Sequence, residues 1–339
     1  MDTGRIDRGL ITVTPSAPGR AVALDVYRPG VERRDPRSDQ RSGTRVAWRD
    51  VAVGSKQLRV VDTGAERYGD FWSALSAGSF EPATVEVLCR WARPGGLLID
   101  VGAWIGPFSL LAAAYGTSVV AIEPDPVAAD VLRRHVAANP GASDLVRVDE
   151  VAWAAVDGRA HLASSVGLGN ARSALLTGAS AGTRVASGVA SGVASARVEA
   201  VEVVTHGARR AFEAACSSGG VNGGPGRDVL LKIDIEGGEF AVVAALGPAL
   251  ARHQPLLLLS VHQPAPPGGV ATLLLRLRRL PAMARLVWAL RAYPVLWRAR
   301  GHREPGWRRL GAVARLLLVA RLGEFELLAH RDRTYSPPR

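Results

Sequence analysis

The stretch VLLKIDIEGGEF, residues 229–240, sets one lysine and three carboxylates close together: Lys232, Asp234, Glu236 and Glu239. Residues two apart on a strand share a face, so Lys232 and Asp234 point the same way, and Glu236 extends that line if the strand geometry persists. Such a row suits general-base work on a hydroxyl, a contribution of about 10²–10⁴-fold. Asp234 or Glu236 is expected to orient an acceptor or take its proton, with Lys232 tuning both. Glu239 is expected only to cap the helix that follows. His262 ends the next apolar run, PLLLLSVHQ, and is a second base candidate because an ordinary imidazole titrates near working pH. Asp234, Glu236 and His262 could converge on a divalent ion, but no ligand spacing calls for one, and no metal is expected.

A second group of residues lies upstream, in LLIDVGAWIGPFSLL at 97–111. Leu97–Val101 reads as a buried strand, Gly102–Gly106 as a glycine turn and Pro107 as a helix start. A strand feeding a helix through glycines is expected to leave backbone N–H groups facing an electron-rich ligand. A dinucleotide site requires G-x-G-x-x-G, but Trp104 stands two places after Gly102. A phosphate-binding P-loop requires Gly-Lys-Ser/Thr, but Pro107 follows Gly106. What remains is a nucleoside cofactor without phosphate, with Asp100 at the strand end available to an amino group. Glu123 ends the next strand about twenty residues on, where doubly wound folds place a carboxylate that accepts both ribose hydroxyls.

These residues need a scaffold, and the pattern around them supplies one. Strand-like runs at 97–102, 119–124, 145–153, 229–235 and 255–264 alternate with helical spacings at 107–115, 126–138, 207–216 and from 239 through Leu246. That alternation predicts an α/β fold: a doubly wound, mostly parallel Rossmann-like sheet with helices on both faces. An initial hairpin and helix from Arg45 deliver the chain to the first central strand. Residues 1–45, rich in Arg, Asp, Pro and Ser, are expected to be a disordered tail. Residues 46–269 form the Rossmann-like domain, with a low-complexity insertion at about 164–197 that has almost nothing to bury. Residues 270–322, broken at Pro281, Pro294 and Pro305, read as a basic helical insertion or lid. Residues 323–339 read as a final edge strand and tail.

The motifs D-V-G-A-x-I-G-x-F-S-L, I-E-P-D-P and L-K-I-D-I-E-G-G-E-F occur here in the order and separations of the FkbM family, and the chain resembles those class I S-adenosylmethionine-dependent methyltransferases over roughly residues 70–265. GSFEPATVEVL and SVH also fall where that family has G-x-[YF]-E and acid-x-His. The resemblance implies O-methylation of a small molecule, glycan or natural-product hydroxyl. It implies S-adenosylmethionine as cofactor, held by Glu81, Asp100, Gly102, Ala103, Gly106 and Glu123. It also implies a catalytic group of Lys232, Asp234, Glu236 and His262. Two positions depart from the family pattern: Trp104 replaces a usual asparagine, and Ser260 a commoner acid. They motivate a rival reading, a noncatalytic cofactor fold that binds a partner or an anionic membrane.

Charge is the remaining signal. Residues 270–339 hold 15 arginines against 4 acidic residues, which accounts for the whole formal charge of +11. Leu273–Trp297 interleaves those arginines with leucines and Trp288, a pattern that suits a lid over the substrate, a packed helical cover or peripheral contact with an anionic membrane. No motif for specific nucleic-acid recognition accompanies the charge. Cys89 and Cys216 lie outside any C-x-x-C pair, which excludes a disulfide framework and points to a reducing, cytoplasmic setting. Neither an export signal nor a membrane span is expected from the pattern.

Overall fold

The structure is a computed structural model that describes residues 10–13, 24–27, 47–62, 68–164, 167–171, 173–176, 198–218, 228–262, 269–301, 304–318 and 324–337. Ala47–Val53 (β1) and Lys56–Asp62 (β2) form an antiparallel hairpin. Two helices follow, Asp70–Ser76 (α1) and Pro82–Trp91 (α2). Pro82 starts α2 because its ring fixes a helical φ and a first-turn residue needs no N–H. The chain then alternates through Leu97–Val101 (β3), Pro107–Ala114 (α3), Ser118–Ile122 (β4), Pro126–Ala138 (α4) and Val146–Asp149 (β5). It resumes with Ala208–Ser218 (α5), Val229–Ile233 (β6), Glu239–His253 (α6) and Leu256–Val261 (β7). Gly269–Ala289 (α7), Val295–Gly301 (β8), Glu304–Arg309 (β9) and Phe325–His330 (β10) complete the main elements.

The main sheet runs β9-β8-β10-β7-β6-β3-β4-β5. From β7 to β5 all pairings are parallel, while β10, β8 and β9 join antiparallel. Strand order reverses between β3 and β6, the switch point outside whose strand ends open α/β sheets bind ligands. Successive residues of the buried strands face opposite layers. Leu98, Leu230, Leu258 and Leu328 pack with Val87 and Leu88 of α2 and with Leu111 of α3. Ile99, Leu231, Leu257 and Leu327 pack with Phe212, Val243, Leu246 and Met283 from α5, α6 and α7. Each such side chain contributes about 1.5–3 kcal/mol on burial, so two continuous apolar layers hold the sheet and its carboxyl edge in place.

Several elements differ from the sequence expectation. Among the described residues, the stretch 270–322 is helical only over Gly269–Ala289, where α7 runs through Pro281, at the short turn Leu290–Ala292 and at Ala312–Leu317. Between them lie β8 and β9, whose valine and tryptophans suit a pleated surface. Pro305 is tolerated because β9 is an edge strand, where a missing donor breaks no ladder. Phe325–His330, expected at an edge, lies between β7 and β8, in keeping with its buried apolar run.

The 145–153 run divides. β5 ends at Asp149, and Ala152–Ala154 pairs with Thr205–Gly207 in a second sheet built on Val198–Gly207, Gly158–Ser164 and Ser173–Leu176. Two pieces of the tail expected to be unfolded, Leu10–Val13 and Leu24–Tyr27, are strands of that second sheet, a role their β-branched residues allow. The rest of the tail and most of the 164–197 insertion lie outside the described residues.

Candidate active site

In the glycine turn after β3, the N–H groups of Gly102, Ala103, Trp104 and Gly106 are taken by the protein itself. The N–H groups of Gly102 and Ala103 donate to the Ile122 carbonyl at 2.9 and 3.0 Å, and that of Gly106 donates to Ala103 at 2.8 Å. The Trp104 N–H donates to Glu123 Oε2 at 2.7 Å, and the Asp125 N–H donates to Glu123 Oε1 at 2.8 Å. Contrary to expectation, these N–H groups are not presented to a ligand. The turn serves close approach instead: with φ of 83°, Gly102 lies where a Cβ would run into the Asp234 carbonyl oxygen. His135 pins the same turn through a 2.8 Å bond to the Ile105 carbonyl, while its Nε2 accepts the Val61 N–H at 3.0 Å. Burial pushes the Glu123 carboxyl up to about 8, against the pull of its two N–H donors.

Beneath the turn is a buried charge cluster. Register places Asp100 beside Lys232 on adjacent parallel strands. Lys232 Nζ is 3.6 Å from Asp100 Oδ1, 3.3 Å from Asp234 Oδ2 and 5.1 Å from the Phe108 ring centre. Ser109 Oγ donates to the other Asp100 oxygen at 2.7 Å. Burial alone would favour a neutral amine, but the carboxylates of Asp234, Asp100 and Glu81 outweigh it and hold the Lys232 pKa above its ordinary value.

A second charged group faces the sheet edge. His262 Nδ1 donates to Glu239 Oε1 at 2.7 Å, and its Nε2 lies 3.5 Å from Asp234 Oδ1 and 3.9 Å from Glu236 Oε1. Burial opposes the imidazolium, yet the Glu239 bond and the charges of Asp234, Glu239 and Glu236 dominate and raise His262 to about 9. At neutral pH His262 is therefore a cation and not the base that its ordinary pKa suggests. Glu236 moves the other way in function: burial, reinforced by Asp234 and Glu239 against His262, lifts it above the ordinary carboxylate range.

Two clefts meet here. One lies over the switch point and is walled by Gly102, Glu123, Trp153, Leu162, Asp234 and Glu236, with no lysine, arginine or histidine among the described residues that line it. It holds about 60 Å³, well below the roughly 300 Å³ at which small-ligand sites begin, because residues 167–171 cover it. Gly169 is the fastening: its N–H donates to Asp125 at 2.6 Å, and its carbonyl accepts from Trp104 Nε1 at 2.9 Å and from the Tyr68 hydroxyl at 3.0 Å. The other cleft, about 170 Å³, opens beside His262 between Glu81, Ser260, Arg298, Arg300 and Glu326. Asp234 lines both. A larger cavity of about 1080 Å³ opens at the amino ends of β6 and β7, past Val229 and Leu256, at the opposite edge of the sheet from these carboxylates.

The structure thus sorts the residues singled out in the sequence. Glu123, Gly102, Asp234 and Glu236 line the first cleft; Glu81, Asp234 and His262 line the second. Asp100 and Lys232 lie under the site, and Ala103 and Gly106 shape the turn; none of these four lines either cleft. Trp104 packs edge-on to Phe71 at 4.6 Å and Tyr68 at 5.6 Å, so its indole forms part of a wall. Glu239, expected only as a cap, is fully buried and holds His262. Asn170 and Trp153 of the first cleft and Glu326, directly opposite Ser260 on β10, were not anticipated. Glu326 left the clearest trace in the sequence, as a lone acid inside the buried run FELLA. Strain marks the site as well: of the four described non-glycine residues with positive φ, Glu81, Trp104 and Glu236 line these clefts.

A doubly wound sheet with a carboxylate-walled cleft at its switch point is the architecture of enzymes that bind a nucleoside cofactor. A family model described as the methyltransferase FkbM domain matches residues 100–280, more than half of the sequence, and the chain belongs to that methyltransferase family. No curated protein matches the chain. Among solved structures it is similar to methyltransferase FkbM from Methylobacillus flagellatus KT, at 14% identity over 76% of this chain and 54% of that one, TM-score 0.33. It is also similar to a SAM-dependent methyltransferase from Agrobacterium tumefaciens, at 12% identity over 98% and 92% of the two chains, TM-score 0.39. The chain spans about half the length of the Methylobacillus flagellatus protein.

Proposed function

We propose that the protein is an S-adenosylmethionine-dependent O-methyltransferase acting on a hydroxyl of a small molecule, glycan or natural-product scaffold. One observation carries this reading: among the described residues the switch-point cleft is walled by three carboxylates and no basic side chain. A phosphate brought within about 4 Å of one of them would be repelled by roughly 4 kcal/mol at an effective dielectric of 20, whereas a cationic nucleoside would be attracted. Trp153, Leu162 and Leu175 offer the apolar surface an adenine ring needs. Each Glu123 oxygen accepts one backbone N–H and retains a lone pair for a ribose hydroxyl. Entry of the cofactor requires residues 167–171 to lift, releasing Gly169.

When bound, S-adenosylmethionine supplies an electrophilic methyl group on a positively charged sulfur. Because Asp234 lines both clefts, an acceptor beside His262 faces the cofactor cleft across Asp234 and Glu236. Glu236 takes the acceptor hydroxyl's proton, the role for which burial has raised its pKa. His262, as an imidazolium, orients Asp234 and Glu236, and Lys232 holds Asp234 from below. Alignment of acceptor and methyl group supplies on the order of 7–11 kcal/mol, and Glu236 adds about 10²–10⁴-fold. We place this activity in the cytoplasm, where Cys89 and Cys216 remain thiols. No helix among the described residues is long and apolar enough to cross a membrane.

Calorimetric titration with S-adenosylmethionine tests the reading. Micromolar binding that Glu123→Ala weakens tenfold or more, about 1.4 kcal/mol, supports it, as does transfer of a labelled methyl group to hydroxyl acceptors. A folded protein that gives no heat with the cofactor overturns it.

A further inference from the structure

Helix α7 is amphipathic on the wrong side for a packed element. Met283, Leu286 and Ala289 bury one face against the layer that contains α6. The opposite face carries Val270, Leu273, Leu274 and Leu277, exposed by 73%, 56%, 55% and 53%, at the i, i+3, i+4, i+7 spacing of a single stripe. Pro281, Ala284 and Trp288 continue that line, all exposed, so the stripe runs the length of a 21-residue helix. Contiguous apolar surface of this kind marks an interaction site.

Its flanks carry one sign of charge. Arg276, Arg278, Arg285 and Arg291 are exposed, and no acidic residue occurs in the sequence between His262 and Glu304. The Arg291 guanidinium lies 3.3 Å over the Trp288 ring, pairing a cation with an aromatic at the end of the stripe. We propose that this face of α7 docks on an anionic lipid surface, lying in the plane of the interface. An apolar face that enters the headgroup boundary, bordered by arginines whose stems reach apolar depth while their heads meet lipid phosphates, is the geometry such binding uses. A second copy of the chain fits less well, since pairing like stripes opposes arginine to arginine.

Docking bears on the neighbouring site. α7 begins seven residues after His262 and packs on α6, whose Glu239 holds that histidine. An acceptor delivered from the bilayer would arrive at the edge of the sheet that carries the two clefts. The docking itself does not depend on methyl transfer.

Cosedimentation of the full chain with phosphatidylcholine vesicles, with and without phosphatidylglycerol, tests the proposal. At least tenfold stronger binding to the anionic vesicles, weakened by added salt, is expected. Leu273→Asp with Leu277→Asp, and separately Arg276→Ser with Arg278→Ser, should each reduce it tenfold or more while leaving the melting temperature unchanged, since all four residues are exposed. Absence of binding, equal binding to neutral vesicles, or binding that the variants leave intact overturns it. So does an apolar variant that dissolves a dimer in analytical ultracentrifugation without affecting vesicle binding, which would give the face to a second copy.

Discussion

His262 Nδ1 donates to Glu239 Oε1 at 2.7 Å, and the Glu239 carboxylate is wholly buried at the start of α6. The pair converts a histidine into a fixed cation. Its folded pKa of about 9 stands above the ordinary 6.5, so the stabilisation it gives is full below about 6.5 and is lost as pH rises through 9. Glu239→Gln should bring the His262 titration, followed by NMR of its ring protons, back toward 6.5. The variant's melting temperature should then lose its fall on the alkaline side. An unchanged titration would place the cause of the shift elsewhere.

On the proposed function, Glu123 couples cofactor affinity to pH. Its carboxyl is raised to about 8 by burial, and a cationic nucleoside with ribose hydroxyls favours the ionised form. Binding should therefore release a proton near neutral pH, and affinity for S-adenosylmethionine should rise from pH 6 to 9 and then level. Titration calorimetry in buffers of different ionisation enthalpy reads the proton directly. Proton uptake would contradict the assignment.

Glu236 holds a left-handed backbone, with φ of 51°, that a glycine adopts freely. Such strain costs on the order of 1–3 kcal/mol. Glu236→Gly should raise the melting temperature while lowering kcat by about 10²–10⁴-fold, and Glu236→Gln should lower kcat without the gain in stability. A glycine variant that keeps its rate would remove Glu236 from proton transfer.

Asp100 and Lys232 form a buried pair under the site. Asp100→Asn leaves the ammonium with one close carboxylate fewer and should cost about 3–5 kcal/mol in chemical denaturation. Adding Lys232→Met should return much of that loss, because the uncompensated charge goes with it. If the double variant is less stable than either single, the pair is not acting through charge.

The central strands, the helices between them and the carboxylates at strand ends were legible because burial on both faces leaves uninterrupted apolar runs, and the polar residues that end them stand out. Helical and extended conformations of Pro294–Arg309 were not separable, since arginine and tryptophan serve an exposed helix and an edge strand alike. The fate of the turn's N–H groups was hidden too, because their acceptors, Ile122 and Glu123, lie on another strand. Asn170 was obscured by the small-residue tandem beside it, although GLGNARS is richer in hydrogen-bonding groups than the repeats that follow. Trp104, a departure from the family pattern, gained its meaning only from Gly169 and Phe71, which are distant in sequence and which the tertiary fold brings to it.

The placement of β10 between β7 and β8 has a consequence for how this chain reaches its native state. β7 finishes at Val261, but its partner does not begin until Phe325. Until then the edge of a strand that is apolar but for Ser260 remains open, while the helix and hairpin between them must stand aside. Sheet closure is thus a late, long-range event of high contact order, and the exposed β7 edge is the point at which a newly made chain is most open to pairing with another. Glu326 arrives on that same strand, so the wall of the cleft beside His262 is completed only when the sheet is.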